Sequence, residues 1–269
     1  MSEQRYIMSN EKDELELARV RLLEDMLDPM TIRHLEMIGI SEGWHCLEVG
    51  AGAGSVAQWL SLRVGLTGKV VATDIDIRFL RELSFPNVEI RQHDIIKDVL
   101  ETDLYDLVHC RFLLAHLSDP DKGLKRMASA VRPGGWLLIE EPDYGFGLSI
   151  DVTNPSAVTF TSVLRALFDF LRKKGIFDPY FGRRVRGLME QLAFTNMGQE
   201  GVTRVNRGGE SWARLNAMTL QAAAKPMIAA GLLTQEQHDS VQRLFIDPAF
   251  NYLGLTAFVA WGKRPANQV

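Results

Sequence analysis

The sequence predicts an α/β protein built on a doubly wound, mostly parallel sheet, and three observations predict it. Strand-like runs at 47–49, 70–74, 87–94, 105–110 and 136–140 alternate with helical patterns, the layout of successive βαβ units. Between the first run and the first helix stands Gly50-Ala51-Gly52-Ala53-Gly54. Such a strand–turn–helix junction lies at the carboxyl end of a parallel strand, where open α/β sheets bind their ligands. Finally, the second and third runs end in acids, Asp74 and Asp94, at the same edge of the expected sheet.

Each element has its own signal. Residues 10–37 read as helical, with Leu15, Val20, Leu22, Leu23, Met26 and Leu27 close to one stripe, and a break is expected at Asp28-Pro29 before a second short helix. Ahead of it, Arg5-Tyr6-Ile7-Met8 reads either as a lid segment or as a frayed end. Helices follow at 56–63, at 77–83 (stopped near Pro86) and at 121–131, and the turn Arg132-Pro133-Gly134-Gly135 leads into the fifth strand. The carboxyl half is more helical, with patterns at 157–172, 183–193, 211–230 and 234–245 and β-rich stretches at 197–205 and 255–261. Those two stretches bring the expected sheet to seven strands of Rossmann-like character, with an N-terminal helical segment at 1–40 and a core at 41–145. Residues 146–269 then hold the remaining strands and a helical cap inserted late in the chain. The long stretch between the last two strands exceeds the ~12–15 residues a structureless loop reaches.

Composition narrows the function. The 269 residues are 46% hydrophobic and 24% charged, with a net charge of -4, which suits a soluble enzyme and argues against a broad nucleic-acid or membrane-surface footprint. No apolar run approaches the ~20 residues of a membrane helix, and Met1-Ser2-Glu3-Gln4-Arg5 lacks a secretory layout. A cytoplasmic protein is expected. The two cysteines, Cys46 and Cys110, have neither metal-ligand spacing nor a disulfide framework. They belong to opposite ends of neighbouring strands, as small buried hydrophobes, and no metal site is expected.

The candidate site gathers at the strand tips. A carboxylate some twenty residues beyond the glycines is positioned to accept from both hydroxyls of a ribose, which is the role read for Asp74. Asp94 can accept from an exocyclic adenine amine, with Ile75 and Ile95 as apolar faces for the ring. Capping of the following helix is the plainer role open to either acid. Glu48, inside an apolar strand end, needs a cation or an N–H donor, because an unpaired buried charge is costly. Gly54 reads as a helix-packing glycine.

These residues resemble the ordered motifs of class I S-adenosylmethionine-dependent methyltransferases, in the small-molecule group that includes ubiquinone/menaquinone-type enzymes. Leu47-Glu48-Val49-Gly50-Ala51-Gly52-Ala53-Gly54 is similar to the first motif, Val71-Ala72-Thr73-Asp74 to the ribose-binding strand end and Gln92-His93-Asp94-Ile95 to the adenine-binding one. Tyr105–Arg111, Leu117-Ser118-Asp119-Pro120 and Arg132-Pro133-Gly134-Gly135 follow in the family's order, and the likeness covers roughly residues 40–145. The resemblance implies that Gly50 and Gly52 let the methionyl part of S-adenosylmethionine lie against the backbone. It also implies that Glu48 orients the turn and faces the cofactor's ammonium, and that Asp74 and Asp94 bind ribose and adenine.

For the transfer itself, His116 is the first candidate for a general base because residues 111–117 follow the fourth strand. Tyr144 and Asp143, after the fifth, are alternatives, and His109 reads as a core histidine. Arg111 is open between binding the cofactor carboxylate or a substrate anion and a structural ion pair. Phe177, Tyr180, Phe181, Trp212, Met218 and Met227, with Tyr6 and Met8, line either an apolar acceptor pocket or plain core. A small organic acceptor such as a quinone-like or secondary-metabolite ring is expected, with neither nucleic acid nor membrane as partner. The competing readings are a non-transferring S-adenosylmethionine-binding protein and an NAD(P)-dependent oxidoreductase. The latter is disfavoured because Gly50-x-Gly52-x-Gly54 lacks the dinucleotide glycine spacing.

Overall fold

In a computed structural model, which describes residues 13–266 apart from 82, 151–152 and 154–155, the first element is helix α1 (Asp13–Ile38). It runs through Pro29 without the expected break. A proline removes one backbone hydrogen bond and crowds the preceding turn, but the side chains around it are anchored. Arg111 donates to Asp28 and Thr31, and His34 pairs with Glu200. Tyr6 and Met8 lie outside the described residues.

Strand β1 (His45–Val49) leads through the glycine turn into α2 (Ser55–Val64) and then β2 (Lys69–Asp74). The helix expected at 77–83 is instead a run of tight turns, with Leu80 N–H donating to Ile77 O and Leu83 N–H to Leu80 O. So short a segment does not recover the cost of helix nucleation. Next come β3 (Val88–Gln92), β4 (Tyr105–Arg111), a single helical turn at Leu114–His116 and α3 (Pro120–Ala130). Asp119 caps α3 by accepting from Lys122 N–H, and Pro120 opens it, both favoured at a helix start. Strand β5 (Val131–Asp143) is longer at both ends than the apolar run that announced it.

The rest comprises β6 (Leu148–Ser149), α4 (Ala157–Lys173), α5 (Val185–Gln191) and β7 (Thr195–Arg207). Helices α6 (Ser211–Ala229) and α7 (Gln235–Ile246) and strand β8 (Asn251–Lys263) complete it. The sheet has eight strands, not seven, in the order β3-β2-β1-β4-β5-β8-β6, with β7 paired to β8. The added strand, β6, is two residues long and pairs antiparallel with β8, too short to leave an alternating pattern. Strands β1 to β5 are mutually parallel. Cys46 and Cys110 are free, buried and at opposite ends of neighbouring strands, as the sequence implied.

The chain divides into two units. The sheet unit holds residues 13–141, 183–200 and 258–266, and the helical unit holds 142–182 and 201–257. In the helical unit, α4 buries Phe160, Val163, Leu164, Leu167 and Leu171. Phe160 meets Phe245, Phe250 and Tyr252 with centroids 4.9–5.6 Å apart, in the edge-on arrangement aromatic rings prefer. Phe181, Trp212 and Met227 are buried, whereas Met218 is 42% exposed. No helix among the described residues is long and apolar enough to cross a membrane.

In the sheet unit, Gly198 on β7 lies flat against Trp261 on β8, and a Cβ there would fall inside the indole ring. Gly198→Ala is therefore expected to destabilise the protein by ~1–3 kcal/mol, the usual penalty of overpacking. Urea unfolding with an unchanged midpoint would refute that packing.

Candidate functional site

Positive backbone φ angles at Gly50, Gly52 and Gly54 (75°, 61° and 94°) turn the chain from β1 into α2, a conformation side-chain-bearing residues avoid. The N–H groups of Gly50 and Ala51 donate to Thr73 O at 2.8 and 2.9 Å, which ties the turn to the end of β2. Gly52 N–H donates to Asp74 Oδ2 at 3.0 Å, and Asp76 N–H to Asp74 Oδ1 at 3.0 Å. Burial raises the Asp74 carboxyl above its ordinary value, while the N–H donors of Asp76 and Gly52 pull the other way. At Gly54 a Cβ would run into Leu83 and Leu80, so this glycine serves packing, as expected.

The other wall of the turn is α1, which sequence reasoning missed as a source of site residues. Glu24 Oε1 accepts from Ala53 N–H at 3.1 Å and from Ser55 N–H at 3.2 Å. Ser55 Oγ donates to Asp28 Oδ1 at 2.9 Å, and Arg111 Nη1 donates to the same oxygen at 2.9 Å and to Thr31 Oγ1 at 2.8 Å. Thr31 Oγ1 in turn donates to Glu140 Oε2 at 2.6 Å. Glu24, Asp28 and Thr31 are spaced i, i+4, i+7, so they share one helix face. A polar triplet at that spacing, in register with Val20 and Leu27, was the available signal.

Two of the expected residues engage protein groups beneath this rim. Glu48 is 2% exposed and finds the donor it needs in His109, whose Nδ1–H lies 2.6 Å from Oε2. Burial depresses the His109 imidazole, but the Glu48 carboxylate lifts it further, leaving it above its ordinary value. Arg111 takes the ion-pair alternative, with Asp28 as partner. Parallel pairing aligns Glu48 with His109 and Arg111 with Glu140. Since alternate residues share a face, these four groups lie on one side of the sheet.

Glu141 serves the opposite side. Its Oε1 accepts from Leu113 and Leu114 N–H at 3.0 and 2.6 Å, and its Oε2 from Ala115 N–H at 3.1 Å. This carboxylate holds the turn that carries His116. Burial pushes the Glu141 carboxyl up to about 8, against the pull of those three donors.

The remaining candidates are dispersed. Asp94 Oδ1 accepts from Ile96 N–H at 2.9 Å and Oδ2 pairs with Lys97 at 2.7 Å, so it organises the turn after β3. Burial opposes its ionisation, yet Lys97 and the turn's N–H groups hold its carboxyl below the ordinary range. Ile75 is 64% exposed and available to a ligand, whereas Ile95 is 4% exposed and already covered by protein. Tyr144 belongs to the helical unit, where its ring stacks on Phe168 at 3.9 Å. Asp143 is buried and accepts from Gly145 N–H at 2.8 Å. Among the described residues no cluster of His, Cys, Asp and Glu could hold a metal ion.

Comparison with known proteins accounts for this glycine turn. A family model described as a methyltransferase domain matches residues 15–196. The chain belongs to the S-adenosylmethionine-dependent methyltransferase family. Methyltransferase str2 of Strobilurus tenacellus is 27% identical over 180 residues, covering 66% of this chain and 63% of its own length. The ubiquinone/menaquinone biosynthesis C-methyltransferase UbiE of Idiomarina loihiensis is 29% identical over 115 residues, covering 40% of this chain and 46% of its own. The chain thus spans between about half and two thirds of the length of these relatives. Among solved structures, phosphoethanolamine N-methyltransferase 2 of Haemonchus contortus, bound to S-adenosylhomocysteine, shares the fold. Its TM-score is 0.58 at 14% identity, covering 98% of this chain and 61% of that one.

S-adenosylmethionine is the methyltransferase family's cofactor, and the residues of the turn fit a cationic ligand of this kind. Asp74 is partly exposed at the tip of β2, next to the exposed Ile75. The second carboxylate oxygen of Glu24 has no donor among the described residues.

Two measurements test the network. Glu48→Gln removes the partner of a buried imidazole and is expected to cost ~3–5 kcal/mol, read as a lower urea midpoint, and to return the His109 imidazole to a lower pKa by NMR titration. An unchanged imidazole pKa would refute the pairing. For Glu141, the folded protein holds a proton between the ordinary carboxylate value of 4.5 and about 8. Its contribution to stability is present at low pH and is lost as pH rises through that window. Unfolding midpoints taken from about pH 5 to pH 9 should therefore decline more steeply in the parent than in Glu141→Gln, and parallel profiles would exclude this role.

Proposed function

We propose that this methyltransferase moves a methyl group from S-adenosylmethionine to a small organic acceptor. The observation that carries the reading is the double use of the glycine turn. Asp74 docks on it from β2 while keeping an exposed edge, and Glu24 accepts from the N–H of Ala53, ahead of α2, and of Ser55, the first residue of α2. A helix N-terminus with free donors favours a pyrophosphate, and here the first of those donors already holds a carboxylate. The neighbourhood is acidic, which supports a sulfonium over a dinucleotide and so speaks against the oxidoreductase alternative.

In this reading Gly50 and Gly52 leave the backbone open to the methionyl chain, and Asp74 accepts from the ribose hydroxyls with Ile75 against the adenine. Asp94 contributes to the adenine side through its turn, and Ile95 backs that side from beneath. Arg111 holds Asp28, and Glu48 with His109 stiffens the strand end below the turn. The bound cofactor supplies an electrophilic methyl group, so the protein's task is alignment and exclusion of water, which can contribute ~7–11 kcal/mol to lowering the barrier. His116 is the first candidate to take a proton from a hydroxyl acceptor, its turn braced by Glu141, and Tyr144 is the second. Similar proteins named for ubiquinone/menaquinone biosynthesis and for phosphoethanolamine methylation support a small-molecule acceptor in this reading, with neither nucleic acid nor membrane as partner.

The test is calorimetric and chemical. Asp74→Ala is expected to weaken S-adenosylhomocysteine binding about tenfold or more, the loss of a hydrogen bond to a charged group, and equal affinities for variant and parent would remove Asp74 from the site. Incubation of the parent with methyl-labelled S-adenosylmethionine and a panel of small phenols, quinols and amines should transfer label and release S-adenosylhomocysteine. His116→Ala should slow that release at saturating cofactor without weakening cofactor binding. Loss of binding with undiminished turnover at saturation would exclude His116 as the base.

A further inference from the structure

We infer that Glu24, on α1, is the residue that binds the ammonium group of the cofactor's methionyl moiety, an assignment that rests on the cofactor reading above. The first ground is its geometry. Oε1 is pinned by two backbone N–H groups, Ala53 and Ser55, at 3.1 and 3.2 Å, which fixes the carboxylate on the rim of the glycine turn. Oε2 is left with no donor among the described residues, although Glu24 is only 9% exposed. A carboxylate oxygen without a protein donor, on a residue held in place at the turn, is available to a cationic ligand.

The second ground is the state of the other acids. Glu48, adjacent to the glycines in sequence, is 2% exposed and committed to His109. Asp28 is committed to Arg111 and Ser55, and Asp94 to Lys97. Asp74 spends an oxygen on Gly52 N–H and the other on Asp76 N–H and stands on the ribose side of the turn. Asp28 and Glu48 also keep one oxygen without a donor among the described residues, but Asp28 is already paired with the Arg111 cation and Glu48 with His109 beneath the turn. Glu24 is held at the turn by two N–H groups with no cationic partner of its own among the described residues. The third ground is proximity to the backbone the methionyl chain must approach. A Cβ on Gly52 would lie 3.7 Å from Glu24 Oε1 and 3.2 Å from a methyl of Val20, so α1 forms the wall at that glycine.

The test compares two ligands that share the adenosine part. S-adenosylhomocysteine carries the amino-acid group, and 5′-methylthioadenosine does not. By calorimetry, Glu24→Gln is expected to weaken S-adenosylhomocysteine about tenfold or more, as for loss of an ionic hydrogen bond, and to leave methylthioadenosine affinity unchanged. Equal losses for both ligands, no loss for either, or a gain for S-adenosylhomocysteine would overturn the assignment. The gain would instead mark Glu24 as a plug that the cofactor displaces. Glu24→Asp keeps the charge on a shorter arm and serves should the Gln variant not fold. It is expected to lose part of the affinity for S-adenosylhomocysteine and none for methylthioadenosine, and equal changes for both would again overturn the role. A parent protein that binds neither ligand would sink the cofactor reading itself and this assignment with it. A parent that binds both, beside a Gln variant that keeps the parent's preference, sinks only Glu24.

Discussion

The interaction on which the rest depends is the pairing of six consecutive backbone N–H groups, from Gly50 to Ser55. A turn that breaks a strand and starts a helix strips these donors of regular partners, and buried donors must be met. Thr73 O takes the first two, Asp74 the third, Glu24 the fourth and sixth, and Ala51 O the fifth. One partner comes from β2 and another from a helix that precedes the sheet. The register of β2 against β1 and the seat of α1 are thus fixed by the same few atoms, and a ligand-binding rim results.

Charge is handled differently on the two faces beneath that rim. On one face, acids are matched with cations or hydroxyls in two groups, Glu48 with His109, and Asp28 and Glu140 with Arg111 and Thr31. Burial raises the Glu140 carboxyl, offset in part by His109 and Arg111, so the network contains a group biased toward its neutral form. On the other face Glu141 has no cation and relies on peptide N–H groups alone. The first arrangement stiffens strand ends but leaves His109 Nε2 and Glu140 Oε1 buried with no partner among the described residues, while the second engages both Glu141 oxygens and shapes a loop.

Much of this was readable beforehand. Strands β1, β2 and β4 announce themselves through largely apolar stretches and β3 through alternation, and Gly54 and the cysteines behave as their surroundings in the sequence implied. What escaped were features decided by tertiary contacts. Continuity of α1 through Pro29 depends on Arg111 and Glu200, which are remote in sequence. The stretch after Asp76 lacks helical structure because local bonds over a few residues are insufficient, and β6 exists only because β8 offers it an edge. The role of Glu24 and Asp28 was hidden because a polar residue on an amphipathic helix reads as a solvent-facing one until its neighbour is known.

The seat of α1 against the glycine turn means that the sheet and its motif are not a portable cassette. Grafted onto another scaffold from residue 40 onward, the strands would keep their order but present Ala53 and Ser55 as bare amide donors, a small anion receptor. Such a chimera would prefer phosphate or sulfate to a sulfonium, so the helix upstream of the motif sets the sign of the ligand that the motif welcomes.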